Sequence, residues 1–235
     1  MILEPRLIVT TGIVTAGKTT IARELARRIV NGAYFGRDDA MYWGPLLVND
    51  IMFKATRLPS FEEYVGGDNV FPDHIETVET PFGPMHRVLH DDHPDYLFRH
   101  AENQSYLIPA RFAERLLAIG KVVVIDAWFS EEYFRNGIVK AYLAQEAFAP
   151  YPTYLIHCVV EPEEAFRRLH DRVKDDPEAQ LRVRSYLEWD AFLKRMEKEQ
   201  PSHPEGIDKI PHLRLDTTSL SVEDAVTQCL DYIRS

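Results

Sequence analysis

The chain has 235 residues and a mass of 27.2 kDa, with 45% hydrophobic and 27% charged residues, which suits one domain with a real core and room for an inserted subdomain. A formal net charge of −10 and a pI near 5.4 argue against a dedicated nucleic-acid binder, whose affinity comes mainly from Lys and Arg on phosphates. No apolar run approaches the roughly 20 residues that span a bilayer, the N-terminus lacks a signal-peptide layout, and Cys158 and Cys229 are too few for a disulfide framework, so a cytoplasmic protein with buried thiols is expected.

In chain order, Leu7 to Thr11 is a short apolar, β-branched run that predicts a strand buried on both faces. Lys18 to Val30 follows as a helix, with Ile21, Leu25 and Ile29 on one face and Gly32 as its stop. Ala33 to Gly36 predicts a second strand. Between Tyr42 and Pro94 the alternation fails; Glu79 to Met85 reads as a hairpin or turn, and residues 43–94 as an inserted acceptor-binding or lid segment. A long helix is expected from about Tyr96 to Ile119, ended by Gly120, and Lys121 to Asp126 is the clearest strand. A helix from about Glu131 to Phe148 precedes a strand at Thr153 to Val159. Pro162 then opens a helix with Glu163 and Glu164 in its first turn. A charged helix over 179–199, a strand at Leu213 to Leu215 and a helix from Ser221 to Ile233, capped by Ser221 with Asp224 three residues on, close the chain. Strands alternating with helices predict an α/β fold: a five-stranded parallel sheet with helices on both faces, plus the irregular insertion.

Gly12-Ile-Val-Thr-Ala-Gly-Lys-Thr19 matches G-x-x-x-x-G-K-[ST] without a mismatch, after a strand and opening a helix. Glycines there let backbone N–H groups turn inward around phosphates, where the helix dipole also favours an anion. This predicts the phosphate loop (P-loop) of a three-layer nucleoside-triphosphatase fold, with Gly12, Thr15, Ala16, Gly17, Lys18, Thr19 and Thr20 around the nucleotide. Lys18 can reach the β- and γ-phosphates, and the Thr19 hydroxyl can ligate Mg²⁺. Asp126, ending its strand, is the second expected metal-site residue, directly or through water. Without a guanine-reading Asn-Lys-x-Asp sequence, the expected nucleotide is ATP.

Transfer of a phosphoryl group to a hydroxyl needs a carboxylate near the attacking oxygen. Arg37-Asp38-Asp39 follows the second strand; Asp38 is the candidate base, with Arg37 or Asp39 touching the acceptor. Trp128 and Arg135, after Asp126, are further acceptor-pocket candidates. Arg168 and Arg172 lie four apart on one helix face before a break at Asp175 to Pro177, which suits a lid closing over a triphosphate. The plainer reading is a solvated helix whose arginines pair with Glu163, Glu164 and Asp171.

The chain resembles the P-loop kinase superfamily, in particular the branch holding polynucleotide 5′-hydroxyl kinases, chloramphenicol phosphotransferase-like enzymes and zeta-toxin-like kinases. The resemblance rests on Gly12 to Thr20, Arg37-Asp38-Asp39, Lys121 to Asp126, Arg168-x-x-x-Arg172 and Leu213-x-Leu-Asp-Thr-Thr218. It implies that Asp38 is the general base, and that Arg168 and Arg172 are lid residues acting with Lys18. The polynucleotide kinase pattern has an arginine three residues beyond the base, where this chain has Met41.

The expected function is therefore an ATP- and Mg²⁺-dependent kinase acting on a hydroxyl of a small molecule, such as a nucleoside, sugar or antibiotic. The alternatives are a nucleotide or polynucleotide kinase, which would need cations such as Arg37, Arg99 or Arg111 for its acceptor's phosphate, and a regulatory nucleoside triphosphatase with no acceptor.

Overall fold

The structure, a computed structural model, describes residues 2–38, 75–80, 83–88, 106, 108–129, 134–135, 138–175, 180, 183, 186–200 and 206–234. It divides into two compact units, Met1–Tyr34 with Ala113–Ser235, and Phe35–Phe112. The strands are β1 (Leu7–Gly12), β2 (Gly32–Gly36), β3 (Ile75–Thr80), β4 (Gly83–Val88), β5 (Val122–Asp126), β6 (Thr153–Val159) and β7 (Leu213–Asp216). The helices are α1 (Lys18–Arg28), α2 (108–118), α3 (Ile138–Leu143), α4 (Pro162–Val173), α5 (Trp189–Glu199) and α6 (Val222–Tyr232).

Five strands form one parallel sheet in the order β2-β5-β1-β6-β7, with helices on both faces. Every residue of β1 and β5 is buried, which explains why their sequences are near-continuous apolar runs and do not alternate. Ile8, Val124, Ile156, Cys158 and Leu215 point to one face. They pack there with Ile21 and Leu25 of α1, Leu169 of α4 and Val226 of α6. Burying Ile21 and Leu25, at 3% and 0% exposure, contributes about 2 kcal/mol each. Leu7, Val9, Val123 and Ile125 point the other way and are equally buried. Both cysteines are free and buried; burial pushes the Cys229 thiol up to about 12 and Cys158 higher still.

Parallel strands bring the C-terminal ends of β1, β5, β6 and β7 to one rim. The register pairs Thr10 of β1 with Asp126 of β5, and Gly12 with Cys158 of β6. That rim carries the Gly12 to Thr19 loop, Asp126 and the residues following β7.

Two helices differ from the sequence-based expectation. The one expected to reach Phe148 ends at Leu143, and residues 144–150 leave it in turns. Pro150 and Pro152 disfavour a helical conformation just before them, and the turns deliver Phe148, 1% exposed, beside Tyr142 with ring centroids 6.2 Å apart. The charged helix expected over 179–199 is interrupted: Gln180 and Val183 are helical, Glu188 is extended (ψ 141°) and α5 starts at Trp189, with the Leu187 carbonyl 3.0 Å from the His170 ring nitrogen Nε2. Ser221 caps α6 as expected, its hydroxyl accepting from the Asp224 amide at 3.1 Å. In the second unit β3 and β4 form an antiparallel hairpin with Thr80 opposite Gly83, within the stretch expected to turn. Asp39, Arg182, Arg184, residues 96–105 and the rest of 43–94 lie outside the described residues.

Candidate active site

Gly12 and Gly17 are required for different reasons. At Gly12 (φ 146°) a Cβ would sit 2.2 Å from the Cys158 carbonyl oxygen, because β1 and β6 run side by side there. Gly17 (φ 77°) has open space, with Ile21 Cδ1 3.9 Å from its virtual Cβ, so its backbone conformation alone selects glycine. Gly17 is also the N-cap of α1 and brings no side-chain cap, which leaves the first amides of the helix for an anion. Lys18 is the first residue of α1.

Between these glycines stands a residue whose conformation composition does not explain. Thr15 has φ 66° and is the only non-glycine residue with positive φ among the described residues. A left-handed conformation in a β-branched residue costs roughly 1–2 kcal/mol, so its surroundings must hold it. The Thr15 hydroxyl lies 2.9 Å from the Ala165 carbonyl of α4 and 2.6 Å from its neighbour Val14's carbonyl, donating toward them. The Thr15 carbonyl accepts from Arg168 Nη1 at 3.4 Å, and the next carbonyl, Ala16, accepts from the Thr217 hydroxyl at 3.0 Å.

Arg168 is the hub of this arrangement. Its Nε donates to Glu164 at 2.7 Å, Nη1 to Thr15 O and to Thr217 Oγ1 at 3.3 Å, and Nη2 to Thr217 O at 2.7 Å and Thr218 O at 3.2 Å. A guanidinium has five N–H groups, and here each has an acceptor. Glu164 also receives Arg167, and the Arg167 and Arg168 bonds together draw its carboxyl down to about 2. The plainer sequence reading thus holds for Arg167, which pairs with Glu164 and Asp171 on the helix surface. Arg172, one turn further on, has no hydrogen bond or ion pair among the described residues; it lines a cavity of about 450 Å³ with Lys18, Thr19, Thr20, Arg168 and Thr217. The wall of this cavity away from the P-loop is apolar, formed by Leu220, Val222 and Ala225.

At the other end of the loop, Asp126 is 6% exposed. Its Oδ2 accepts from the Thr19 hydroxyl at 2.5 Å and the Tyr34 hydroxyl at 3.5 Å, and its Oδ1 from Thr10 at 3.5 Å. Two hard oxygen donors, Thr19 Oγ1 and Asp126 Oδ2, therefore converge at the mouth of the P-loop. Among the described residues no group of three or more His, Cys, Asp or Glu converges. A sparse all-oxygen donor set suits Mg²⁺, which keeps most of its water and takes one or two protein ligands.

The acceptor-side candidates are more scattered. Arg37 is buried, with its guanidinium 4.8 Å from the Tyr106 ring centroid and 3.5 Å from the Asp38 carboxylate. Asp38 itself is 72% exposed. Trp128 donates through Nε1 to Glu199 of α5 at 3.2 Å, and Glu199 pairs with Arg195 at 2.6 Å. Arg135 is exposed. Sequence reasoning quoted Thr217 and Thr218 only as part of the last-strand match and gave neither them nor Tyr34 a role in the site. Glu164 was legible as a partner by its i,i+4 spacing to Arg168, but the threonines lie about 50 residues from Arg168, beyond any local pattern.

No helix among the described residues is long and apolar enough to cross a membrane. No protein-family model matches the chain, and no curated protein matches it. Solved structures do. A candidate kinase from Chloroflexus aurantiacus superimposes with a TM-score of 0.56 at 17% identity, covering 98% of this chain and 97% of that one. The Mycobacterium tuberculosis APS kinase, solved with AMPPNP and APS, gives a TM-score of 0.52 at 16% identity over 99% of each chain. The chain has the P-loop kinase fold.

Proposed function

We propose that the chain transfers the γ-phosphate of ATP, with Mg²⁺, to a hydroxyl of a small molecule such as a nucleoside, sugar or antibiotic. The observation that carries this reading is the convergence at one rim: Lys18 on the P-loop, the Thr19–Asp126 oxygen pair 2.5 Å apart, and Arg172 lining the same cavity. In it, backbone amides from Gly12 to Thr20 and the ammonium of Lys18 hold the phosphates, acting where negative charge develops in a loose transition state. Thr19 and Asp126 would hold Mg²⁺, which when bound neutralises β- and γ-phosphate oxygens. Arg172 supplies further positive charge to the transferring group. The apolar wall at Leu220 and Val222 suits a base, with Arg168 lining the same cavity.

Asp38 is proposed as the carboxylate that orients the acceptor hydroxyl and takes its proton. It stands two residues past the end of β2 with an exposed side chain. Arg37, Asp39, Trp128 and Arg135 are the proposed acceptor contacts. An acceptor that carries no phosphate fits an acidic chain whose Met41 stands where a phosphate-binding arginine would be needed.

The test is ATP consumption screened across nucleosides, nucleotides, sugars, aminoglycoside-like compounds and 5′-hydroxyl oligonucleotides. Stimulation by a neutral polyol or nucleoside is expected. Stimulation only by the oligonucleotides would replace this reading with polynucleotide kinase activity, and stimulation by none with a regulatory triphosphatase.

A further inference from the structure

We infer that Thr15 and Arg168 form a staple that holds the phosphate loop open for ATP, and that Arg168 acts as a positioning residue; this rests on the kinase reading above. An anion-binding concavity arises where successive residues alternate between left- and right-handed backbone conformations, so that consecutive N–H groups point inward. Here the left-handed positions are Thr15 (φ 66°) and Gly17 (φ 77°), with Ala16 between them at negative φ. Glycine adopts such a conformation freely. Threonine does not, and needs an outside constraint.

The constraint comes from two directions at once. The Thr15 side chain reaches the Ala165 carbonyl on α4, and its own carbonyl is drawn outward by Arg168. The adjoining Ala16 carbonyl is drawn outward by Thr217, to which Arg168 also donates. With two consecutive carbonyls held on the outer side of the turn, the loop cannot relax by flipping either peptide without losing a partner. All five Arg168 donors are engaged in this framework, leaving none for a phosphoryl oxygen. Arg172 has no such commitments among the described residues. The two arginines, one turn apart on the same helix, therefore divide the work: Arg168 shapes the nucleotide site and Arg172 meets the transferring group.

The staple predicts an order of affinities that neither a purely steric nor a purely catalytic role gives. Thr15→Val keeps the β-branch and its strain but removes the donor. Thr15→Gly removes donor and strain together. Thr15→Ser keeps the donor with less strain. Calorimetric titration of each full-length variant with ADP and Mg²⁺, with ATP kinetics and a thermal melt alongside, reads this out. Expected is a dissociation constant about tenfold weaker than wild type for Thr15→Val, an intermediate loss for Thr15→Gly, and rescue to within about threefold by Thr15→Ser. Arg168→Met is expected to raise KM for ATP more than it lowers kcat. Its combination with Thr15→Val should cost less than the product of the two single effects, because both break one network.

Equal ADP affinity in Thr15→Val and wild type would overturn the staple while leaving the kinase reading standing. So would an Arg168→Met variant that loses kcat with KM for ATP unchanged, since that is the signature of a group acting only on the transition state. A wild-type chain that binds no ADP would overturn the kinase reading and the staple with it.

Discussion

The phosphate loop and the Arg37-Asp38-Asp39 tripeptide each follow a strand of the same sheet, yet they are built in opposite ways. In the loop the backbone is the working part. It is fixed by glycines where φ is positive or a neighbour is close, and by bonds from α4 and from the residues after β7 to the Thr15 and Ala16 carbonyls. After β2 the side chains are the proposed working part: Arg37 is buried against Tyr106, while Asp38 projects with 72% of its side chain exposed. Every triphosphate has the same shape, so a preorganised backbone suffices for it. Acceptors differ, and in the proposed reading their recognition falls to side chains drawn from several segments.

Each of the following variants breaks or sharpens that comparison. Lys18→Ala should lower phosphoryl transfer about 10²–10³-fold, as removal of a preorganised charge stabiliser does, and weaken ATP; coupled ADP-release kinetics would show it, and unchanged turnover would remove the P-loop from the account. Gly12→Ala should destabilise the fold by about 3 kcal/mol, because its Cβ meets a β6 carbonyl that cannot move aside. Gly17→Ala should cost only about 1 kcal/mol of stability, for the left-handed backbone alone. Urea denaturation of the two separates a steric from a conformational requirement. Arg172→Met should lower kcat roughly tenfold with little change in KM for ATP, the reverse of the pattern expected at Arg168.

The smallest effect concerns pH. His157, 8% exposed on β6, is held down to about 4 by burial first and by His212 and Arg214 next. Between its ordinary value of 6.5 and about 4 the unfolded chain binds a proton that the folded chain refuses. Stability contributed by the neutral ring is thus complete above 6.5 and falls as pH falls. The loss from this residue between pH 6.5 and 5.5 should be about 1 kcal/mol. Denaturation at both pH values should show that difference shrinking in His157→Gln.

Much of this was legible in the sequence because the determining signals are local. The apolar runs Leu7 to Thr11 and Lys121 to Asp126 announce strands buried on both faces, and the glycine spacing before Lys18 announces the turn into α1. What was not legible is what the sheet order brings together. The bond of Thr19 to Asp126 spans 107 positions, and that of Thr15 to Arg168 spans 153. No periodicity carries such information. For the same reason Arg168 and Arg172 read alike in sequence, as cations four apart on one face, and only their distant acceptors separate them. The helix expected through Phe148 failed for a different reason: its apolar spacing is also met by turns that seat Phe148 in the core ahead of Pro150.

If the donor half is self-sufficient, removing the proposed base must leave it intact. The direct measurement is a calorimetric titration of Asp38→Asn with ATP and Mg²⁺, paired with its transfer rate to the acceptor found in the screen. Predicted is affinity within about twofold of wild type with transfer reduced about 10²–10⁴-fold, the usual worth of a general base. Full transfer by Asp38→Asn, or loss of ATP binding, would contradict the account.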